Sequence, residues 1–160
     1  MMKSLSSCKI GQTANRFKKT EQGKTFSLEL SNNGNFYCEI VDIDKCVFEK
    51  VKLKRCDWLF LVPKSSSVNT SLNLPGSKAY YIELKGLALY DAYEQLFNAI
   101  ENTKHEIPNF DIVAMVISIK GRQPEIENCT AYKRVKQMIR KEIIVCKVHK
   151  GNHFTHTEKI

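Results

Sequence analysis

No apolar run in this chain approaches membrane-spanning length, and Met1 to Ile10 lack the continuous hydrophobic segment of a secretory signal. A cytoplasmic protein with no membrane partner is the expectation. The six cysteines, Cys8, Cys38, Cys46, Cys56, Cys129 and Cys146, are spread along the chain instead of crowded as in a disulfide-stapled secreted domain. They are expected to be reduced thiols, mostly buried in apolar strands. Internal repeats are lacking, and the only low-complexity stretch is a serine-rich segment before Lys78. His105 has no serine or cysteine signature around it, which leaves nucleophilic catalysis without support. Cys146, His149, His153 and His156 match no zinc spacing, so they are taken as incidental histidines on a polar tail. Neither a helix-turn-helix nor a zinc finger is present to read bases.

What is present is a core and a charge. With 160 residues, 42% of them hydrophobic, the chain is long enough for one domain and too short for two comfortable ones. Lysine and arginine number 25 against 17 acids, a net charge of +8, which favours a polyanionic partner such as nucleic acid. An anionic membrane surface would suit the charge equally well.

Residues 1–24 are rich in Ser, Lys, Gln and Thr and are expected to form a basic arm, either mobile or a short helix. Thr25 to Leu30 and Phe36 to Ile43 read as two strands of a hairpin about Asn32-Asn33-Gly34-Asn35, with Cys46 to Leu53 continuing the meander. Asp57 to Val62 and Ala79 to Lys85 are apolar strands joined by a long polar loop from Pro63 to Lys78. Leu89, Tyr93, Leu96, Phe97 and Ile100 recur at helical spacing, so a helix spans Leu87 to Thr103. Phe110 to Ile119 reads as a buried strand, and a helix between two such strands suggests a parallel crossover. A second helix is expected over Glu127 to Glu142 and a last strand over Ile143 to Val148, before a loose tail, 149–160. The expected fold is a single α/β domain over residues 25–148, a central mixed β-sheet flanked by helices.

Asp57 and the triplet Glu83-Leu84-Lys85 carry the chemistry. Side chains two apart on a strand share a face, so Glu83 and Lys85 point together, and an upstream strand brings a second acid. Two carboxylates suit a hard divalent cation, and a nearby lysine can orient or activate water.

An acid on one strand, then acid-x-lysine ending the next, then a helix, strand, helix and strand resembles the PD-(D/E)XK nuclease superfamily, the restriction-endonuclease-like fold. The resemblance covers roughly residues 25–148. Cys56 stands where that pattern places a proline. The resemblance implies that Asp57, Glu83 and the backbone carbonyl of Leu84 bind Mg2+ or Mn2+, that Lys85 positions the attacking water, and that Gln95 lies near the site. Glu29 and Glu39 are candidates for a further acid. It implies a DNA endonuclease, and a homodimer is the simple way to cut both strands of a duplex. Lys50, Lys52, Lys54 and Arg55, and on the second helix Lys133, Lys136 and Arg140, would form surfaces for the phosphate backbone. Specificity would come from loops such as Val62 to Lys78, or from shape. Two rival expectations remain: a nucleic-acid-binding module of nuclease fold without activity, and a small basic protein-interaction factor from a phage or mobile element.

Overall fold

A computed structural model of the chain describes residues 2–21, 23–30, 34–64, 75–85, 88–118, 123–139, 143–147 and 153–159. Its elements are β1 (Lys9–Ala14), β2 (Arg16–Glu21), β3 (Lys24–Leu30), β4 (Phe36–Asp42), β5 (Trp58–Val62), β6 (Lys78–Lys85), α1 (Leu89–Thr103), β7 (Asp111–Ser118), α2 (Thr130–Met138), β8 (Ile144–Lys147) and β9 (His153–Glu158). Six strands make one mixed sheet in the order β1-β4-β5-β6-β7-β8. Strands β1 to β6 of that order pair antiparallel, whereas β6, β7 and β8 run parallel. A second sheet, β2-β3-β9, joins β3 and β9 in parallel.

Both faces of the inner strands β5, β6 and β7 are buried, which explains why β5 and β6 read as nearly unbroken apolar runs, whereas the edge strand β1 is mostly exposed. On one face Val41, Leu59, Tyr81 and Val116 meet Leu89, Tyr93, Leu96 and Ile100 of α1 and Val135 of α2. On the other, Ile40, Phe60, Tyr80 and Met115 meet Phe17, Phe26 and Leu28 of the second sheet. Phe26 and Phe60 pack edge to face with ring centroids 5.5 Å apart. The molecule is thus a single α/β domain of three layers in which, among the described residues, α1 and α2 cover one side of the mixed sheet and strands the other.

The parallel crossovers β6-α1-β7 and β7-α2-β8 match the helical spacings of the sequence. Four expectations are corrected. The N-terminal segment is not a basic arm: after a single 3-10 turn at Leu5–Ser7 it forms β1 and β2, passing from one sheet to the other at Asn15. Strands β3 and β4 do not pair as a hairpin, because Phe26 and Leu28 bury better stacked on Ile40 and Phe60 than beside them. The meander does not continue past β4, since Ile43–Val47 is a π-helical turn capped by Asp42, whose carboxylate accepts from Lys45 N at 2.6 Å. The tail forms β9, held by Glu158, which bonds Lys78 and Tyr80 of β6 across the sheets. Helix α2 ends at Met138, where Ile139 takes extended backbone.

The cysteines also depart from expectation. Cys8 and Cys46 form a disulfide that closes 38 residues and ties the segment before β1 to the π-helical turn. Cys38 and Cys56 are free and buried, and Cys129 and Cys146 are free and partly buried.

Candidate active site

Strands β5 and β6 pair antiparallel with Trp58 opposite Ile82, so the start of one adjoins the C-terminal end of the other. Asp57, immediately before β5, therefore lies beside Glu83. Two backbone bonds fix it: Asp57 N donates to Ile82 O at 3.1 Å, and Ile43 N donates to Asp57 O at 3.1 Å. Its side chain is also held, since Leu84 N donates to Asp57 Oδ2 at 2.7 Å.

Alternation along β6 sends Ile82 and Leu84 into the inter-sheet core and Tyr81 to the helix side, so Glu83 and Lys85 also take the helix side. Glu83 is only 2% exposed. Its Oε1 lies 3.8 Å from Lys85 Nζ, and its Oε2 has no hydrogen-bond partner among the described residues. Lys85 Nζ donates to Gln95 Oε1 of α1 at 2.7 Å, and Gln95 Nε2 donates to Arg55 O at 2.9 Å. The helix that follows the motif therefore reaches back to aim the lysine, and the three motif residues and Gln95 meet at one end of the central sheet.

The electrostatics are those of two crowded acids. Burial, and then the Asp57 carboxylate, push Glu83 up to about 9, with Lys85 pulling the other way. Asp57 rises to about 6, chiefly through burial, opposed by the Leu84 N–H and by Lys85, and raised further by Glu21 and Asp44. Cys56, fully buried beside them, is an inert thiol pushed well above its usual range by burial.

A divalent cation fits these residues. Glu83 Oε2 is a buried acceptor without a donor, and two raised carboxylates are the state a cation would relieve. Among the described residues no group of three His, Cys, Asp or Glu side chains closes on a common point. A cation here would thus rest on Asp57, Glu83 and the Leu84 carbonyl, with water or substrate oxygens completing its shell.

The other candidates divide. Glu29 lies on β3 in the second sheet, 3.7 Å from Arg16, and Glu39 on β4 pairs with Lys9 at 2.7 Å; neither joins the cluster. Lys52, Lys54 and Arg55 line an open depression of about 360 Å³ together with Asp44, Leu53 and Gln95, beside the Lys85 side chain. Lys50 and Lys52 are exposed. Lys54 Nζ is held by Glu94 at 2.8 Å and Asp91 at 3.0 Å, and Arg55 Nε by Asp44 at 2.5 Å. Lys133 and Lys136 sit on α2, outside that depression, and Arg140 lies outside the described residues.

Sequence reasoning missed Asp44, whose charge bears on both Asp57 and Glu83. Its signal was the pair Asp42-Ile43-Asp44 ending an apolar strand. Among the described residues no helix is long and apolar enough to cross a membrane. No protein-family model, no curated protein and no solved structure matches the chain.

Proposed function

We propose that this protein is a metal-dependent nuclease that hydrolyses phosphodiester bonds, acting on DNA as an endonuclease. The observation that carries the reading is the convergence of Asp57, Glu83 and Lys85 at the end of β6, with Glu83 Oε2 buried and unpartnered. The order of elements supports it: an antiparallel β4-β5-β6 unit, then α1, then β7 parallel to β6, is the arrangement that the resemblance to PD-(D/E)XK nucleases implies.

Asp57, Glu83 and the Leu84 carbonyl would hold Mg2+ or Mn2+. Such a cation, when bound, neutralises charge on the scissile phosphate and lowers the pKa of water. The chain's own groups do the rest. Lys85, its ammonium fixed by Gln95, places positive charge where negative charge grows on the phosphate oxygens and orients the attacking water. Water attacks directly, so no side chain becomes covalently attached to the substrate. Lys52, which lines the depression beside Gln95, and the exposed Lys50 two residues before it would contact the phosphate backbone flanking the scissile bond. A second copy of the chain would supply the second cut in a duplex.

Cleavage of supercoiled DNA in Mg2+ or Mn2+ tests the reading. Wild type should cut, and Asp57→Ala and Lys85→Ala should each lose at least about a thousandfold in rate while binding DNA as before. If wild type and both variants behave alike, the protein binds nucleic acid without cutting it.

A further inference from the structure

Segment 51–56 has no regular secondary structure, yet its Arg55 carbonyl is the acceptor that orients Gln95 and, through it, Lys85. Something must hold that carbonyl in place. The Arg55 side chain does so from three directions: Nε donates to Asp44 Oδ1 of the π-helical turn at 2.5 Å, and one terminal nitrogen donates to Val51 O and Leu53 O, each at 2.6 Å. The planar guanidinium thus staples its own loop into a tight bend and fastens that bend to the turn before β5. Asn98 Nδ2, donating to Lys54 O at 2.8 Å, docks the same loop on α1. The Arg55 side chain is about 20% exposed, and these bonds go to the protein's own acceptors.

We infer that Arg55 is a positioning residue and not a phosphate contact: with Asp44 it fixes the main-chain carbonyl that orients Gln95, and through Gln95 it sets the place of the Lys85 ammonium. A lysine at 55 would not serve, because an ammonium lacks the planar fork that reaches a carboxylate and two carbonyls from one centre. Lys52, exposed in the same depression, is left as the cation facing a substrate phosphate. The inference deepens the nuclease reading, resting on Lys85 as the group that orients water.

Three readouts on Arg55→Ala and Asp44→Asn decide it. Acetylation of individual lysines by acetic anhydride, followed by mass spectrometry, should show Lys85 labelling about fivefold faster in each variant, the equivalent of one lost hydrogen bond, with Lys147 unchanged. DNA affinity measured against salt should keep the wild-type slope. In cleavage, kcat should fall about tenfold to a hundredfold with KM little changed. The inference is overturned if Lys85 labelling stays at the wild-type rate, or if Arg55→Ala flattens the salt slope by about one unit, as loss of a phosphate contact would. Asp44→Asn keeps the loop's size and shape and serves where Arg55→Ala does not fold. A wild-type protein that does not cut would end the nuclease reading, and the labelling comparison, which needs no turnover, would still decide the role of Arg55.

Discussion

In the metal-free protein Glu83 holds a carboxyl raised from 4.5 to about 9, first by burial and then by the Asp57 carboxylate. Between those values the unfolded chain has released a proton that the folded chain keeps, so stability falls as pH rises from 4.5 towards 9, by at most about 1.4 kcal/mol per pH unit. Glu83→Gln resembles the protonated acid and should remove this slope. The variant should unfold at higher urea than wild type at pH 8 without metal. Mn2+ should shift the wild-type midpoint upward and leave that of the variant in place. That Glu83 and Lys85 share a face was legible in the sequence from strand alternation, whereas the nearness of Gln95 was only what the family resemblance implied. The inward use of Arg55 was not legible, since its partners Asp44, Val51 O and Leu53 O are brought to it by an irregular loop.

Among the elements, the π-helical turn and β9 are where covalent and ionic restraints hold the fold. The Cys8–Cys46 disulfide closes 38 residues, so its loss in Cys8→Ser/Cys46→Ser should cost about 4 kcal/mol, read as a lower denaturant midpoint under oxidising conditions. At β9, burial works against Glu158, but the His156 ring 3.6 Å away and hydrogen bonds from Lys78 and Tyr80 outweigh it and hold the carboxyl down at about 2. That contribution is full above the ordinary 4.5 and is lost as pH falls through about 2. Glu158→Gln should therefore cost about 2 kcal/mol at neutral pH and weaken the acid transition, as followed by circular dichroism. The central strands and both helices were legible because their apolar residues are many and periodic. The flanking strands were not: β2 has one fully buried residue, Phe17, and β9 none, so neither carries an apolar pattern, and β9 pairs with β3 across most of the chain. The hairpin expected about Asn32 to Asn35 does not form, because β3 and β4 pair with other strands and belong to different sheets; Asn32 and Asn33 themselves lie outside the described residues.

Over the whole molecule, the net charge of +8 would draw a polyanion from a distance, and the paired cations would limit how much of that charge touches phosphate. Each phosphate contact adds about 0.9 to the slope of log affinity against log salt. With Lys54 held by Asp91 and Glu94, and Arg55 by Asp44, the slope should be shallower than the full set of basic candidates would give. Lys52→Ala should reduce it by about one unit, as measured by fluorescence anisotropy with labelled duplex DNA. The domain's three layers leave the end of β6 as the place where central sheet, helix and irregular loop meet, and there the cation and the lysine would act together. The most direct measurement is anomalous diffraction at the manganese edge from a crystal soaked in MnCl2 near pH 8. The expected result is one strong peak bridging Asp57, Glu83 and the Leu84 carbonyl, and absent from Glu83→Gln crystals. A featureless map there, with Glu83 still buried and uncoordinated at saturating manganese, would contradict the assignment of this site to metal-dependent hydrolysis.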